Sequence, residues 1–181
     1  MNSFIINIIY LLLPAALANM TPVLVKKYFK FLAYPVDFNK KLFGNRIFGS
    51  HKTFRGFLFG ILSSILIVIF QAYLYRFDFF QNISLLEYNK INPIIFGFLF
   101  GFGVLFGDLI GSFIKRRLKI SPGKSLLILD QINAVIGIAV FVFPFYLKSL
   151  EILIWITFVW LIGHFIIRYT GFLFGLNKEK L

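Results

Sequence analysis

The composition of this 181-residue chain excludes a soluble globular domain, since 59% of its residues are hydrophobic, 20% are aromatic and only 14% are charged. The absence of cysteine excludes disulfides, thiolate catalysis and cysteine-ligated zinc. A net charge of +12 is better explained by membrane topology than by nucleic-acid binding, because no basic and aromatic surface stretch stands apart from the apolar segments. We therefore expect a single integral membrane domain over residues 1–181.

Five apolar segments are long enough to cross a bilayer as helices. A spanning helix needs roughly 20 mainly apolar residues, because the hydrocarbon core is about 30 Å thick. Long runs of Phe, Ile and Leu favour helices over the strands of a membrane barrel, in which polar residues alternate. The predicted fold is an all-α, multi-pass bundle of about five transmembrane helices, with approximate spans 3–25, 56–75, 93–114, 125–147 and 150–171.

The first segment has a second interpretation. It contains Ala-Leu-Ala at 16–18, the small-x-small pattern of a signal-peptide cleavage site. However, no Lys or Arg precedes this stretch, whereas Lys26, Lys27 and Lys30 follow it. A permanent span is therefore favoured.

The distribution of cations orients the bundle. The loops 26–55 and 115–124 carry eight and five Lys or Arg residues, the other two loops carry two and one, and the tail carries three. By the positive-inside rule, loops 26–55 and 115–124 and the C-terminus face the cytoplasm, which leaves the N-terminus outside. The expected location is the cell membrane, with a site that faces the cytoplasm.

Two of the seven acidic residues, Asp108 and Asp130, lie inside predicted spans, where a charge is costly to bury. With Asn19 they lie roughly 9 to 11 Å deep from the cytoplasmic side, if each residue rises about 1.5 Å. One explanation is an ion pair, for example of Asp108 with Lys115 or Arg168, that only holds the bundle together. The favoured explanation is a functional cavity, because ionisable residues inside spans usually line substrate paths.

The combination of buried carboxylates with a rim of Lys and Arg suits a phosphate ligand. Carboxylates alone repel phosphate, but Mg²⁺ binds one or two carboxylates together with phosphate oxygens. We therefore expect Mg²⁺, for which Mn²⁺ could substitute, and a nucleoside triphosphate. The glycines form rows of small residues that predict close helix packing, at positions 97, 101, 103, 107 and 111.

Several motifs resemble a known enzyme family. The stretch "SFIKRRLKISPGKSLLILDQIN" resembles the signature of the CTP-dependent cytidylyltransferases that make CDP-activated lipids. The stretches "LPAALANMTPVLVKK", "PVDF", "GSHKTFRG" and "GDLIGSFIKRR", followed by "LDQIN", resemble the CDP-archaeol synthase family in the same order, over residues 13–133. The resemblance implies transfer of CMP from CTP to a lipid phosphate of the digeranylgeranylglycerol phosphate type, which gives a CDP-lipid and pyrophosphate in phospholipid biosynthesis.

The resemblance also implies roles for residues. Asp108 and Asp130 would hold the metal, with Asn133 as an outer or second ligand. The family's Asp-Gln-x-Asp turn ends here in Asn133, which can ligate Mg²⁺ but supplies no charge, so a second metal ion is in doubt. Lys52 and Lys115 would act with these carboxylates in catalysis. The residues expected to bind substrate are Arg55, Ser112, Arg116, Lys124 and Asn19.

Other interpretations of these residues stay open. Lys52 and Arg55 could be ordinary positive-inside anchors, Lys124 could only shape its loop, and Asn19 could satisfy a carbonyl freed by a proline. Arg117 is expected to reach lipid headgroups. No role is assigned to His51, His164 or Arg168.

Alternative functions also stay open. A phosphatidate cytidylyltransferase that uses acyl lipids would show the same phosphate chemistry, and a small transporter or channel would also bury carboxylates. The expected partners are CTP, a membrane lipid phosphate and the bilayer. Nucleic acid is excluded, and assembly into a homo-oligomer is left open.

Overall fold

The structure is a computed structural model that describes residues 2–121, 124, 126–147 and 149–173. The longer helices are α1 (Asn2–Leu24), α2 (Phe54–Leu74), α4 (Pro93–Arg117), α5 (Leu127–Phe141) and α7 (Leu150–Leu173). Between them lie the short helices α3 (Asp78–Asn82) and α6 (Phe143–Tyr146), 3-10 turns at Val25–Lys27, Lys30–Leu32 and Tyr88–Lys90, and strands β1 (Lys41–Leu42) and β2 (Asn45–Arg46).

Helix α4 is the centre of the bundle. It packs against α1, α2 and α5, while α7 packs against α1 and α5. The buried core includes Phe96, Phe100 and Val104 of α4, none of which is exposed at all. Residues of α1, α2 and α5 can therefore all contact α4.

Within the residues that the structure describes, three helices are long and apolar enough to cross a membrane: Phe4–Lys27, Phe54–Leu74 and Pro93–Arg117. The described parts of the last two predicted spans are shorter apolar helices, Leu129–Phe141 and Leu150–Ile166. A mostly helical membrane fold is thus supported, while the count of five spans stays a prediction.

The predicted fourth span, 125–147, is not one continuous helix. Helix α5 ends at Phe141, and α6 begins at Phe143 with Pro144 in its first turn. Proline lacks a backbone N–H and its ring clashes with the preceding turn, so it ends α5 and starts a new helix.

Two prolines inside α1 free backbone carbonyls, and α2 contacts both. Because Pro14 has no N–H, the carbonyl of Tyr10 lacks its helical partner and instead accepts a hydrogen bond from Nε2 of Gln71 at 2.6 Å. Gln71 is buried, and its Oε1 accepts a hydrogen bond from the hydroxyl of Tyr88 at 3.1 Å. Gln71 therefore joins α1, α2 and the turn before α4.

The second proline of α1, Pro22, also frees a backbone carbonyl that faces α2. Pro22 frees the carbonyl of Ala18, and Gly60 of α2 approaches it so closely that a Cβ at 60 would lie 2.8 Å from this oxygen. Only a residue without a side chain allows the two helices to meet here.

The glycine rows of α4 pack as predicted. Gly97 and Gly101 face α2, while Gly103 and Gly107 face α5, because a Cβ at any of them would lie under 3.0 Å from atoms of those helices. At Gly107 the Cβ would lie 1.9 Å from the carbonyl oxygen of Asn133. The expectation of close packing through small residues is confirmed.

The β1–β2 hairpin was not predicted from the sequence. Its two-residue turn places Phe43 at φ 49° and Gly44 at φ 79°, the left-handed pair of a type I′ turn. Arg117, expected at lipid headgroups, donates instead to the carbonyl of Leu42 at 2.5 Å and to those of the two β2 residues at 3.3 and 2.8 Å. It therefore docks the hairpin on the end of α4.

Candidate active site

Lys52 is fixed in place by backbone pairing just before α2. The N–H of Val36 donates to the carbonyl of Lys52 at 2.9 Å, and the N–H of Phe54 donates to that of Tyr34 at 3.0 Å. Thr53 caps α2 by accepting a hydrogen bond from the Gly56 N–H at 3.2 Å. The position of Lys52 thus follows from the start of the helix.

The side chain of Lys52 forms an ion pair with Asp108. Its Nζ donates to Oδ2 of Asp108, and both side chains are about one-third exposed or less, at 27% and 32%. The sequence had suggested Lys115 or Arg168 as partners of Asp108. The structure places Lys115 elsewhere, and the side chain of Arg168 lies outside the described residues.

Lys115 pairs with the second carboxylate. Its Nζ lies 2.5 Å from Oδ1 of Asp130, and these side chains are only 12% and 19% exposed. The other oxygen of Asp130 accepts a hydrogen bond from the N–H of Leu126 at 3.0 Å, where α5 begins. A carboxylate in the first helical turn both caps the free N–H and complements the helix dipole.

The crossing of α4 and α5 sets the relative depth of the two pairs. Gly107 faces the backbone of Asn133, and a Cβ at Gly111 would lie 1.9 Å from Nδ2 of the same residue. Because the helices are antiparallel, this register places Asp108 about two residues, roughly 3 Å, deeper than Asp130. The two carboxylates therefore lie at similar depth on facing helices.

Asn133 lies three residues after Asp130 on α5 and is almost fully buried, at 3% exposed. Its Oδ1 accepts no hydrogen bond from the described residues. A buried acceptor without a donor is costly, so this oxygen is available to a ligand.

The remaining predicted residues of α4 are buried. Ser112 is 3% exposed and Arg116 is 6% exposed. Arg116 donates from Nη2 to the carbonyl of Ser121 at 3.4 Å, but its Nε and Nη1 have no partner among the described residues. Arg116 thus has unused donor capacity beside the Lys115–Asp130 pair.

Three other predicted residues are not members of the two ion pairs. Arg55 is buried and donates from Nη1 to the carbonyl of Tyr28 at 2.8 Å, so it ties the loop after α1 to α2. Asn19 and Lys124 are exposed. Their expected substrate roles stay predictions.

His51, which the sequence left without a role, lies within a positive field. Burial lowers its pKa, and the charges of Lys26, Lys52 and Arg116 lower it further. His51 is therefore neutral at pH 7, and Lys26, Lys52 and Arg116 are close enough to act on it electrostatically.

Asp37 was missed as a structural centre of this loop. Its side chain is fully buried and pairs bidentately with Arg46, at 2.5 Å to Nη2 and 3.2 Å to Nε. It also accepts hydrogen bonds from the N–H groups of Asn39, Phe48 and Gly49 at 3.1, 3.2 and 3.0 Å. Burial raises the pKa of Asp37, but Arg46 and the three N–H groups outweigh burial and lower it. The sequence did offer one signal for this role, because Asp37 is the single acidic residue among the eight cations of loop 26–55.

The donor set is compatible with Mg²⁺. Among the described residues no group of three or more His, Cys, Asp or Glu side chains gathers at one point. Two carboxylates and the free amide oxygen of Asn133 are nevertheless hard oxygen donors, and Mg²⁺ typically takes one or two carboxylates plus substrate oxygens. These residues fit a metal that enters with a phosphate ligand.

Comparison with known proteins identifies the family. A family model described as CarS-like: CDP-archaeol synthase matches residues 1–180. The chain belongs to the CDP-archaeol synthase family. Within this family it is 35% identical to the CDP-archaeol synthase of Methanococcus maripaludis strain C7 over 94% of this chain and 93% of the relative. It is also 35% identical to that of Thermofilum pendens, over 91% and 76% of the two chains.

A solved structure agrees with the family assignment. It is described as structural insight into an intramembrane enzyme for archaeal membrane lipids biosynthesis. The TM-score is 0.70 at 27% identity, over 88% of this chain and 90% of that chain. The resemblance expected from the motifs is confirmed, and the chain is a membrane protein.

Proposed function

We propose that this chain transfers CMP from CTP to an archaeal lipid phosphate, giving a CDP-archaeol-type lipid and pyrophosphate. The observation that carries the proposal is the presence of two Lys–Asp pairs, Lys52–Asp108 and Lys115–Asp130, at the α4–α5 crossing in a member of this family. The named relatives favour an isoprenoid lipid over an acyl lipid, and an enzyme over a transporter.

In this reaction the protein aligns the two substrates and stabilises the negative charge on their phosphate groups. An oxygen of the lipid phosphate attacks the α-phosphorus of CTP, and the bond from this phosphorus to the bridging oxygen breaks as pyrophosphate leaves. The attacking phosphate is already ionised, so no general base is needed. Positioned cations lower the barrier because negative charge builds up on the phosphate oxygens.

The lysines of the ion pairs are suited to this task. A lysine is a point charge on a flexible stem, so Lys52 and Lys115 can exchange a carboxylate oxygen for a phosphate oxygen with little movement. Ser112 and Arg116 supply further donors from the same helix. When bound, Mg²⁺ would neutralise phosphate charge, and Asp108, Asp130 and Asn133 would hold it.

The orientation is part of the proposal. The cation-rich loops 26–55 and 115–124 face the cytoplasm, where CTP is available, and the site opens to that side of the cell membrane. A reporter placed between Phe77 and Asn89 should be external, and one fused after Leu181 should be cytoplasmic. If both report the same side, the orientation is wrong.

The deciding experiment measures CDP-lipid formation by the purified protein from labelled CTP. Asp108→Asn and Asp130→Asn should each lower turnover by roughly 10²-fold, because the amide keeps the size but removes the charge that a divalent ion requires. The exposed acid of α3 offers a matched control, and Asp78→Asn should leave turnover unchanged. Normal turnover in both site variants would mean that the carboxylates are structural.

The metal is tested separately. Activity should disappear in excess EDTA and return with Mg²⁺ or Mn²⁺. Asn133→Asp would restore the carboxylate of the family turn and should lower the Mg²⁺ concentration for half-activity. Full activity in chelator would remove the metal from the mechanism.

A further inference from the structure

Exposed aromatic side chains gather in the segment that joins α1 to α2. The candidate spans on either side, Phe4–Lys27 and Phe54–Leu74, fix this segment at one end of the membrane-crossing helices. The residues, hereafter the aromatic patch, are Tyr28, Phe29, Phe31, Tyr34 and Phe38. Phe31 is 80% exposed and no member of the patch is less than 47% exposed, so the protein itself covers little of this apolar surface. Exposed apolar surface gathered in one place usually marks an interaction site.

The aromatic patch continues the apolar outer face of α2. Exposed apolar residues recur at every fourth position of this helix and therefore share one face, at Phe54, Leu58, Leu62 and Leu66. The ring of Phe38 packs against that of Phe54, where this face begins, with the ring centroids 5.3 Å apart. The ring of Phe29 stacks on that of Phe59 of α2 at 4.5 Å. Because such a face of a membrane helix contacts lipid chains, the patch that follows it lies at the level of the lipid headgroups.

The backbone of the aromatic patch also indicates a partner outside the protein. Phe29 and Phe38 have positive φ angles of 47° and 50°, a conformation that a Cβ disfavours and that suits glycine or asparagine. A bulky side chain is retained at such a position when its contacts offset the strain. Each of these rings contacts α2, yet about half of each stays exposed, at 47% and 56%. The uncovered half is available to lipid.

The charge around the aromatic patch selects the kind of lipid. The exposed lysines of this segment are Lys26, Lys27, Lys30, Lys40 and Lys41. The single acid of loop 26–55, Asp37, does not balance them at the surface, because its side chain is fully buried and pairs with Arg46. Lysines clustered just outside a membrane span bind anionic headgroups, and aromatic rings favour the same interfacial layer. The segment is therefore complementary to an anionic lipid surface.

We propose that the aromatic patch and its lysines dock on the bilayer and bind anionic lipid headgroups. This docking surface does not depend on the proposed function. It extends the protein's contact with the membrane from the apolar faces of the helices to the loop that carries Lys52.

Docking of the aromatic patch would also position Lys52. Pro35 and Thr53 form an antiparallel bridge, and the carbonyl of Lys52 accepts a hydrogen bond from the N–H of Val36 at 2.9 Å. At the other end of the patch, Arg55 donates to the carbonyl of Tyr28 at 2.8 Å. A bilayer that holds the patch therefore also holds the backbone of Lys52. Turnover should then increase with anionic lipid, a consequence that rests on the proposed function.

Docking is tested with spin labels in nanodiscs. Because the chain has no cysteine, one introduced cysteine carries the label at a single known position. Phe31→Cys places the label in the aromatic patch, and Ser50→Cys, at an exposed residue of the same loop outside the patch, is the matched control. In nanodiscs of phosphatidylcholine and phosphatidylglycerol, the label at 31 should collide mainly with oxygen, which concentrates in lipid, and the label at 50 mainly with a water-soluble nickel chelate.

Two results would overturn the docking surface. One is equal access of the nickel chelate to the labels at positions 31 and 50. The other is a label at 31 that is immobilised yet still open to the chelate, because it would then contact protein, for example a second copy of this chain, rather than lipid.

The preference for anionic headgroups is tested with the double variant Lys27→Gln, Lys30→Gln, labelled at position 31. Each lysine beside an anionic leaflet favours the docked state about fivefold, so the ratio of docked to free label should fall about tenfold or more. The control Arg76→Gln, Lys90→Gln removes two exposed charges from the segment between α2 and α4, at the opposite end of the helices, and should leave this ratio unchanged. An equal loss in both double variants, or no loss in either, would overturn the assignment to anionic lipid.

Turnover separates the docking surface from the proposed function. At saturating CTP and lipid phosphate, kcat of the wild type should rise when phosphatidylglycerol replaces part of the phosphatidylcholine, and kcat of Lys27→Gln, Lys30→Gln should rise less. An equal rise in both proteins would show that docking does not position Lys52. If the label at 31 enters lipid but the wild type makes no CDP-lipid, the docking surface stands while the proposed function fails.

Discussion

Replacing Gly107 with alanine tests whether the α4–α5 crossing sets the geometry of the site. The new Cβ would lie 1.9 Å from the carbonyl oxygen of Asn133, whereas real Cβ contacts are essentially never under 3.0 Å. The difference requires the two helices to separate by about 1.1 Å. Asp108 lies on α4 and Asp130 on α5, so this movement changes the distance between the carboxylates.

Turnover should fall by roughly 10²-fold, because a misplacement of about 1 Å costs that much where reacting groups must be aligned. The measurement is kcat for CDP-lipid formation at saturating CTP, together with the thermal unfolding midpoint in the same detergent. Two alanine substitutions serve as controls. A Cβ at Gly163 would meet no atom within 4 Å, so Gly163→Ala should leave kcat and the unfolding midpoint unchanged. A Cβ at Gly101 would lie 2.8 Å from the Ser64 Cβ, so Gly101→Ala disturbs the contact of α4 with α2 rather than with α5.

Gly101→Ala should therefore lower stability with a much smaller loss of turnover. Near-normal turnover of Gly107→Ala would refute the reasoning. So would an equal loss of turnover in Gly101→Ala at an equal loss of stability, because the effect would then come from unfolding rather than from the position of α5.

Three further predictions concern the contacts that fix the loops and helices. Arg117→Ala removes three charge-assisted hydrogen bonds to the hairpin, each worth about 1.5–3 kcal/mol. The hairpin should then open more often, and trypsin should cut after Lys41 about tenfold faster or more. Gln71→Leu leaves the freed carbonyl of Tyr10 unpaired and should cost about 1–3 kcal/mol, seen as a lower thermal midpoint. The pKa of Asp37 is lowered by folding, so its contribution to stability is complete at neutral pH and is lost as the pH falls through the folded pKa, below about 3.8. The difference in amide exchange of loop 37–49 between wild type and Asp37→Asn should therefore be constant from about pH 7 to 5 and shrink only below that range.

The long helices could be predicted from the sequence because apolar length is a local property. Long segments rich in Phe, Ile and Leu define α1, α2 and α4, and the spacing of glycines defines which faces of α4 meet other helices. The break between α5 and α6 was not predicted, because it lies inside a continuous apolar segment. Pro144 was the available signal for it. Each of the two strands has only two residues, too few for any periodic pattern, and the turn places a phenylalanine in a left-handed conformation that propensity does not favour.

The sequence singled out Asp108, Asp130, Lys52 and Lys115 but did not predict how these residues pair. Apolar surroundings identified Asp108 and Asp130 as unusual, and the nearby cations suggested phosphate. The partner of Asp108 is Lys52, however, 56 residues away in sequence, and only the packing of α2 against α4 brings them together. Asp37 was quoted within a motif but given no role, because its five hydrogen bonds come from residues of a loop in which no periodic pattern is visible.

The carbonyl freed by Pro14 has a consequence for how the chain enters the membrane. While α1 is alone in the bilayer, the oxygen of Tyr10 has no donor, and the hydrocarbon offers none. The amide of Gln71, which α2 would also carry unpaired into the lipid, supplies that donor. Both helices therefore gain from associating as soon as α2 is inserted, so we expect the α1–α2 hairpin to form during synthesis, before α4 emerges from the ribosome.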